Sequence, residues 1–91
     1  MPYEWDVNKA DSNFAKHGVP FDAIYRFDWD NIVGTTDERY DYGETRFMAL
    51  GRIDGRVHAV VYTAIEGTIR LISLRKANAR EIKVYEQHHK T

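Results

Sequence analysis

Basic side chains gather in one stretch of the chain, RLISLRKANAREIKVYEQ, which runs from Arg70 to Gln87. The stretch alternates like a strand at its start, has helical spacing at its end, and contains three arginines and two lysines. Arginine is rarely placed inside an apolar strand such as TIRLIS without a planar anionic partner, because its desolvation must be offset by paired hydrogen bonds. Arg70 therefore predicts either an internal salt bridge, with Glu44 or Asp41, or a phosphate ligand.

The other cations of this stretch follow the predicted strand. Arg75 is expected where the strand passes into the last helix, at the end of the sheet. On that helix the spacing places Lys76, Arg80 and Lys83 on one cationic face. This face is either a solvated surface, with late lysines favoured by the helix dipole, or a binding surface for phosphates or for an acidic partner segment.

Candidates for acid–base chemistry lie in two other segments. Lys16 and His17 end a predicted first helix, where they either complement the helix dipole or take part in catalysis. Histidine titrates closest to neutral pH, so His17 is the best general acid or base in the chain. Glu44 and Arg46 share one face of a predicted strand, and a carboxylate beside a guanidinium stays ionised and can accept a proton.

Several classes of protein are disfavoured by what the sequence lacks. The chain has no cysteine, which excludes disulfides and fits a cytoplasmic location. Its acidic residues are scattered and no H-x-x-x-H pair occurs, so no metal site and no cofactor are predicted. No apolar run approaches the ~20 residues that a membrane span needs, and no membrane association is expected.

The elements that position these residues follow from apolar periodicity and turn signals. Residues 3–6 predict a short strand. Asp6 or Asn8 is expected to cap the first helix, which Gly18 ends, and Pro20 to start a second. Predicted strands cover 44–53, 56–65 and 68–75 and are joined by DG and EG turns; residues 28–43 are expected to form a loop that can hold one short strand around Ile32–Thr36, and the last helix to run from Lys76 to about His88. Ala79, Ile82 and Tyr85 should form its apolar stripe.

This order of elements predicts an α+β fold, with helices packed on an antiparallel sheet of about four strands. Two of the helices are N-terminal and one is C-terminal, and the 91 residues are expected to form a single domain, 1–91. The formal charge of −1 divides unevenly, since residues 1–45 carry a net −6 and residues 46–91 a net +5. The second half is therefore the candidate for binding a polyanion.

Three ordered blocks of the chain resemble the BrnT family, the toxin half of a bacterial type II toxin–antitoxin pair. YEWDVNKADSNFAKHGVPFDAIYRFD resembles its opening W-D-x-x-K-x-x-x-N-x-x-K-H-G-V-x-F, and DERYDYGETRFMALGRIDGR its D-x-x-x-x-x-G-E-x-R-x-x-x-L-G block. VVYTAIEGTIRLISLRKANAREIKVYE resembles the ending V-V-Y-T…R-I-I-S-x-R-K-A-x-x-x-E-x-x-x-Y. The resemblance implies a RelE-like fold and a small ribonuclease that arrests translation.

The resemblance also implies a partner. A BrnA-like antitoxin, with a ribbon-helix-helix end that binds operator DNA, would neutralise the toxin in a hetero-oligomer, so operator DNA would be bound only through the antitoxin. The family's functional arginines and its helix-one lysine correspond to Arg70, Arg75 and Lys16. Ile65 stands where the family commonly has an arginine, and an apolar residue cannot hold a phosphate.

A metal-free ribonuclease needs a base near the 2′-hydroxyl of RNA, cations around the phosphorane and an acid for the 5′-oxygen. Glu44 or His17 is the candidate base, and Lys16 or His17 the candidate acid. The cations are expected from three arginines of the strands, and further RNA contacts from the last helix; the set is Arg46, Arg70, Arg75, Lys76, Arg80 and Lys83. The alternative is a weakly active or inactive toxin-fold protein that binds the antitoxin and acts as co-repressor.

Overall fold

The computed structural model describes residues 2–39 and 45–90, and the side chains of these residues outside 35–39. Within these residues the chain forms five strands, two α-helices and two 3-10 helices. In chain order they are β1 (Tyr3–Glu4), α1 (Val7–His17), a first 3-10 helix (Phe21–Arg26), a second 3-10 helix (Trp29–Asn31), β2 (Val33–Arg39), β3 (Thr45–Ile53), β4 (Arg56–Ile65), β5 (Thr68–Lys76) and α2 (Ala79–His88).

The strands form one mixed sheet in the order β1-β5-β4-β3-β2. β2 to β5 pair antiparallel with their neighbours, whereas β1 runs parallel to β5. The α+β class and the short strand within residues 3–6 are confirmed, but the sheet has five strands and is mixed, so the prediction of about four antiparallel strands is wrong in the count and in the direction of this edge strand. A strand of two residues carries too little pattern to reveal its partner or its direction.

Both predicted hairpin turns are present. Asp54 and Gly55 have φ angles of 51° and 83°, and Glu66 and Gly67 have φ angles of 50° and 81°. Positive φ at both central residues is typical of type I′ turns, whose twist matches that of the flanking strands. Each glycine adopts this backbone at no steric cost. The two turns fix the register of β3 with β4 and of β4 with β5.

The second predicted N-terminal helix is a 3-10 helix of six residues. The chain is extended at Pro20 before it and at Phe27 after it, and the N–H of Phe27 donates to the carbonyl of Ile24 at 3.1 Å. Three of the six side chains are buried. Packing against the sheet therefore fixes this tight helix, which is shorter than the apolar spacing predicts.

Alternate residues of the sheet face two separate cores. On one side the sheet packs against α1 and the first 3-10 helix, and we call this the α1 face; its buried members are Val19, Phe21, Ala23, Ile24, Phe27, Ala49, Ile53, Val60, Ile69, Leu71 and Leu74. The opposite side, the α2 face, buries Val33, Leu50, Val57, Ala59, Ala77 and Tyr85. Buried apolar side chains therefore cover both faces of the sheet, one core on each side.

α1 lies along the β5 edge beyond the end of β1, and its buried Asn13 takes the place of a neighbouring strand. The amide oxygen of Asn13 accepts from the N–H of Leu74 at 3.2 Å, and its nitrogen donates to the carbonyls of Leu74 at 2.7 Å and Val19 at 3.2 Å. The two bonds to Leu74 satisfy groups at the β5 edge that β1 does not pair. Ala10 packs against the core of the α1 face, whereas Val7 and Phe14 are 69% and 54% exposed and lie off the packing side of the helix.

α2 begins at Ala79, three residues later than predicted, because Lys76 still belongs to β5. Asn78 caps the helix: its side chain accepts from the N–H of Glu81 at 2.9 Å, and the Glu81 carboxylate accepts from the N–H of Asn78 at 3.0 Å. Tyr85 is buried as predicted, whereas Ala79 is exposed. Because Lys76 is the last residue of β5 and not part of α2, its side chain follows the alternation of the strand and not the face of the helix.

Candidate active site

Arg70 and Arg75 of β5 lie on the same face of the sheet, the α2 face. On a regular strand two residues five positions apart point to opposite faces, because the side-chain period is two. The register between β4 and β5 shifts at Ile72, which has no partner on β4. This bulge changes the alternation and brings both arginines to the side on which Ala59, the partner of Arg75, packs.

Arg46 and Ile65 belong to the same face. Arg46 alternates along β3 with Leu50 of the α2-face core, as the sequence predicts. Ile65 lies on β4 two residues beyond Thr63, and Thr63 is directly opposite Arg70. Ile65 is therefore a diagonal neighbour of Arg70, and at 58% exposure it is open to solvent.

Arg70 is exposed and makes no ion pair or hydrogen bond with any residue that the structure describes. Opposite it, the hydroxyl of Thr63 is buried and has no hydrogen-bond partner in the described part of the chain. A buried hydroxyl without a partner is uncommon in proteins. Glu44, the predicted base, and Asp41, the other predicted internal partner of Arg70, lie outside the described residues.

Arg75, in contrast, is held by α2. Its guanidinium donates two hydrogen bonds to the carboxylate of Glu81, at 2.7 and 2.8 Å, and the side chains are 28% and 15% exposed. This paired hydrogen bonding lowers the pKa of Glu81 and raises that of Arg75, against the opposing effect of burial. Arg75 thus fastens α2 to β5, and its removal would leave the Glu81 carboxylate without its charged partner.

Lys16 and His17 line a polar groove of about 340 Å³ between α1 and β5. Lys16 is exposed and His17 is half-buried at the end of α1. Ser73 lines the groove from β5, and its hydroxyl donates to the Oδ1 of Asn13 at 3.3 Å. Lys9 and Ser12 complete the polar wall on α1. The groove therefore adjoins the strand that carries the two arginines, and it offers cationic and hydroxyl donors.

The predicted cationic face of the last helix is only partly present. Arg80 and Lys83 are exposed on α2, but Lys76 lies on β5, where its partner is His58, on the α1 face. The prediction that groups Lys76 with the other two is wrong, because the strand continues through Lys76 and alternation turns its side chain away from α2.

Three residues that are important in the structure have no role predicted from the sequence. Asn13 gives no signal in the sequence beyond a polar position within an apolar helical stripe. Glu81 does have a signal, because the spacing Asn78-x-x-Glu81 is that of a capping box. His58 gives no signal beyond strand alternation, yet it is 6% exposed and lines a cleft with Lys76.

The described part of the chain has neither a metal-binding cluster nor a membrane-spanning helix. Among the described side chains, no three of His, Cys, Asp or Glu come together to form a possible metal site. Neither α1 nor α2 has the length and apolar character of a membrane span, and the described part of the chain has no other α-helix.

Comparison with known proteins identifies the family. A search of curated proteins finds no match to this chain. The family model for the ribonuclease toxin BrnT of type II toxin–antitoxin systems matches residues 5–81. The match extends from the start of α1 into the first turn of α2 and includes the groove and the arginines of β5. This chain belongs to the BrnT family of ribonuclease toxins, which act in type II toxin–antitoxin systems.

Proposed function

We propose that this protein is a metal-independent endoribonuclease that cleaves RNA, inhibits translation and is neutralised by a BrnA-like antitoxin. Membership of the BrnT family supports ribonuclease activity and an antitoxin partner in general terms. The observation that carries the specific proposal is the exposed guanidinium of Arg70, which makes no ion pair or hydrogen bond with any described residue. A guanidinium that is open to solvent and unpaired can donate to a phosphate oxygen.

The chemistry needs no group beyond RNA and protein. The 2′-oxygen of RNA attacks the adjacent phosphorus, a base accepts the proton of the 2′-hydroxyl, the bond from phosphorus to the 5′-oxygen breaks, and an acid gives that oxygen a proton. Negative charge increases on the phosphorane oxygens, and fixed cations stabilise it. Arg70 supplies such a cation on the α2 face, and Arg46 shares that face.

The acid and base are proposed from the groove of α1 and from β3. His17 and Lys16 line the groove, so His17 is available as base or acid and Lys16 as acid. Glu44 remains the alternative base by its sequence position beside the start of β3. Arg80 and Lys83 of α2 are proposed to contact the RNA backbone outside the site, and Arg75 to act mainly by holding α2.

The test is induced expression with and without a co-expressed ribbon-helix-helix antitoxin, scored by growth and RNA integrity. The purified chain should cleave RNA, and the cleavage should persist in chelator. Arg70→Ala should keep the melting temperature and lower activity by about a hundredfold, the order of loss expected for one preorganised donor. Arg70→Lys, which keeps the charge and loses the planar fork, should retain part of the activity. Cleavage that is abolished by chelator and restored by magnesium would contradict the proposed roles.

A second candidate function has its own support. Ile65 provides no phosphate donor beside Arg70, and Arg75 is engaged by Glu81. Both features fit a toxin-fold protein with little catalysis that serves as antitoxin partner and operon co-repressor. Growth arrest that is absent for the natural chain, together with tight binding of the antitoxin, would favour this alternative.

A further inference from the structure

A cleft on the α1 face, away from Arg70, gathers basic side chains from three parts of the fold. Its volume is about 440 Å³, and it is lined by Arg26 of the first 3-10 helix, Arg56 and His58 of β4, and Lys76 at the end of β5. We call it the His58 cleft. The backbone of the loop between α1 and the first 3-10 helix forms another wall.

The charges of this cleft are not balanced by its own residues. Among the described residues that line it, Asp54 is the one carboxylate, and it is already paired with the Nε of Arg26 at 3.1 and 3.2 Å. Lys76 lies directly opposite His58 in the β4–β5 register. Arg56 and Lys76 therefore have no carboxylate partner among the described residues that line the cleft.

His58 is the buried member of the cluster and presents an unused nitrogen. The side chain is 6% exposed, and its Nδ1 lies 2.7 Å from the carbonyl oxygen of Arg56. A carbonyl only accepts, so Nδ1 carries the proton and donates. Nε2 has no hydrogen-bond partner among the described residues; in this tautomer it is an acceptor, so the donors to an anion in the cleft are the surrounding cations and not His58. Burial first, and then the charges of Arg56 and Lys76, lower the pKa of this imidazole, although the carbonyl bond and Asp54 oppose them.

We propose that the His58 cleft binds a phosphate group of an RNA chain at a place separate from cleavage, an inference that rests on the ribonuclease function proposed above. Arg26, Arg56 and Lys76 come from three different elements and line one cleft, and several cations around one cavity suit a tetrahedral oxyanion. A planar carboxylate is matched by one guanidinium, as Asp54 is by Arg26.

The position of the cleft connects it with the candidate active site. Lys76 follows Arg75 directly, and their Cα atoms are about 3.8 Å apart, yet their side chains lie on opposite faces. An RNA strand that passes over this end of the sheet meets the α2 face on one side and the His58 cleft on the other. The cleft then holds the RNA while the other face cleaves it.

The first experiment measures binding to the purified full chain, with inorganic phosphate and with a short oligoribonucleotide that has hydroxyl ends as probes. The NMR signals of the His58 imidazole should shift with both. Lys76→Gln should weaken binding of inorganic phosphate about tenfold, the effect of losing one charged hydrogen bond. Lys90→Gln, an exposed lysine beyond α2, is the matched control and should change nothing. Equal affinities for the two variants would overturn the proposal, and a response to phosphate without one to RNA would overturn its RNA part.

The second experiment separates this proposal from the ribonuclease function. In RNA cleavage, Lys76→Gln should raise KM and leave kcat unchanged. Its melting temperature should stay the same or rise, because one member of a repelling cluster is removed, whereas a structural lysine would lower it on removal. A chain that binds RNA at His58 but cleaves none would contradict the ribonuclease function alone. A chain that cleaves RNA with the same KM in both lysine variants would contradict the cleft alone.

Discussion

At the scale of single residues, Arg70 and Arg75 differ although they share a strand and a face. Arg70 is open to solvent, whereas Arg75 donates two hydrogen bonds to Glu81. A cation that acts on a substrate must be available to it, and a cation that joins two elements must be occupied. The structure therefore assigns different consequences to the loss of each arginine.

The Arg75–Glu81 pair predicts a specific dependence of stability on pH. The hydrogen bonding of Arg75 to the Glu81 carboxylate is the main cause that lowers the pKa of Glu81 below its ordinary value of 4.5. A lowered carboxylate pKa stabilises the folded state above pH 4.5, and this stabilisation is lost as pH falls through the folded pKa. Glu81→Gln should cost about 1.5–3 kcal/mol at neutral pH, because Arg75 loses a charged partner. Urea unfolding at decreasing pH should show the difference from the natural chain shrinking; a constant difference would contradict this role.

A gain of function is expected at Ile65. The side chain is exposed and diagonal to Arg70 on the α2 face, so an arginine there reaches the same phosphate without burying charge. Ile65→Arg should increase RNA cleavage and growth arrest by about tenfold or more, because it adds a fixed donor to the site. Ile65→Gln, which is polar but uncharged, is the matched control. If Ile65→Arg folds, binds the antitoxin and shows no gain over Ile65→Gln, the site is either complete without it or not catalytic.

At the scale of elements, the bulge at Ile72 decides which side chains share the site. The sequence predicts the strand and its arginines, but strict alternation would separate Arg70 from Arg75. A bulge depends on how two strands accommodate one extra residue, and TIRLISLR contains no glycine or proline to mark it.

The direction of the Lys76 side chain is not predictable from the sequence for a related reason. The strand continues past its apolar run because its backbone remains paired with β4. The turns, the strands from 45 to 76 and the Asp6 cap were predictable because local chemistry determines them.

The contact between α1 and the β5 edge gives a further prediction. Asn13 makes three hydrogen bonds with the backbone of Leu74 and Val19, all of them buried. Asn13→Ala should lower the free energy of unfolding by about 2–4 kcal/mol, because two carbonyls and one N–H lose their partner inside the protein. Chemical denaturation measures this, and hydrogen exchange should show faster exchange at Leu74. Ser12→Ala, one residue earlier and exposed, is the control; equal effects of the two changes would show that the edge is held in another way.

At the scale of the whole molecule, charge is segregated more finely than between the two halves of the sequence. Basic side chains occur on the α2 face, on the outer side of α2 and in the His58 cleft, which lie on different sides of one sheet. Acidic side chains around α1 and the first 3-10 helix, such as Asp11 and Asp22, border an apolar groove instead. The near-neutral net charge thus coexists with separate cationic surfaces.

The cationic side of α2 is where the antitoxin is expected to compete with RNA. Arg80 and Lys83 are exposed, and an acidic antitoxin segment bound to them would cover the approach to Arg75 and oppose RNA by occlusion and charge. Charge reversal at both positions, Arg80→Glu with Lys83→Glu, should weaken the complex about a hundredfold, since two attractive contacts become repulsive. Added salt should weaken the natural complex and strengthen that of the variant, because screening reduces attraction in one and repulsion in the other. Isothermal titration at several salt concentrations measures both, with Lys90→Glu as control. An affinity that is unchanged by the double reversal at every salt concentration would place the antitoxin on another surface.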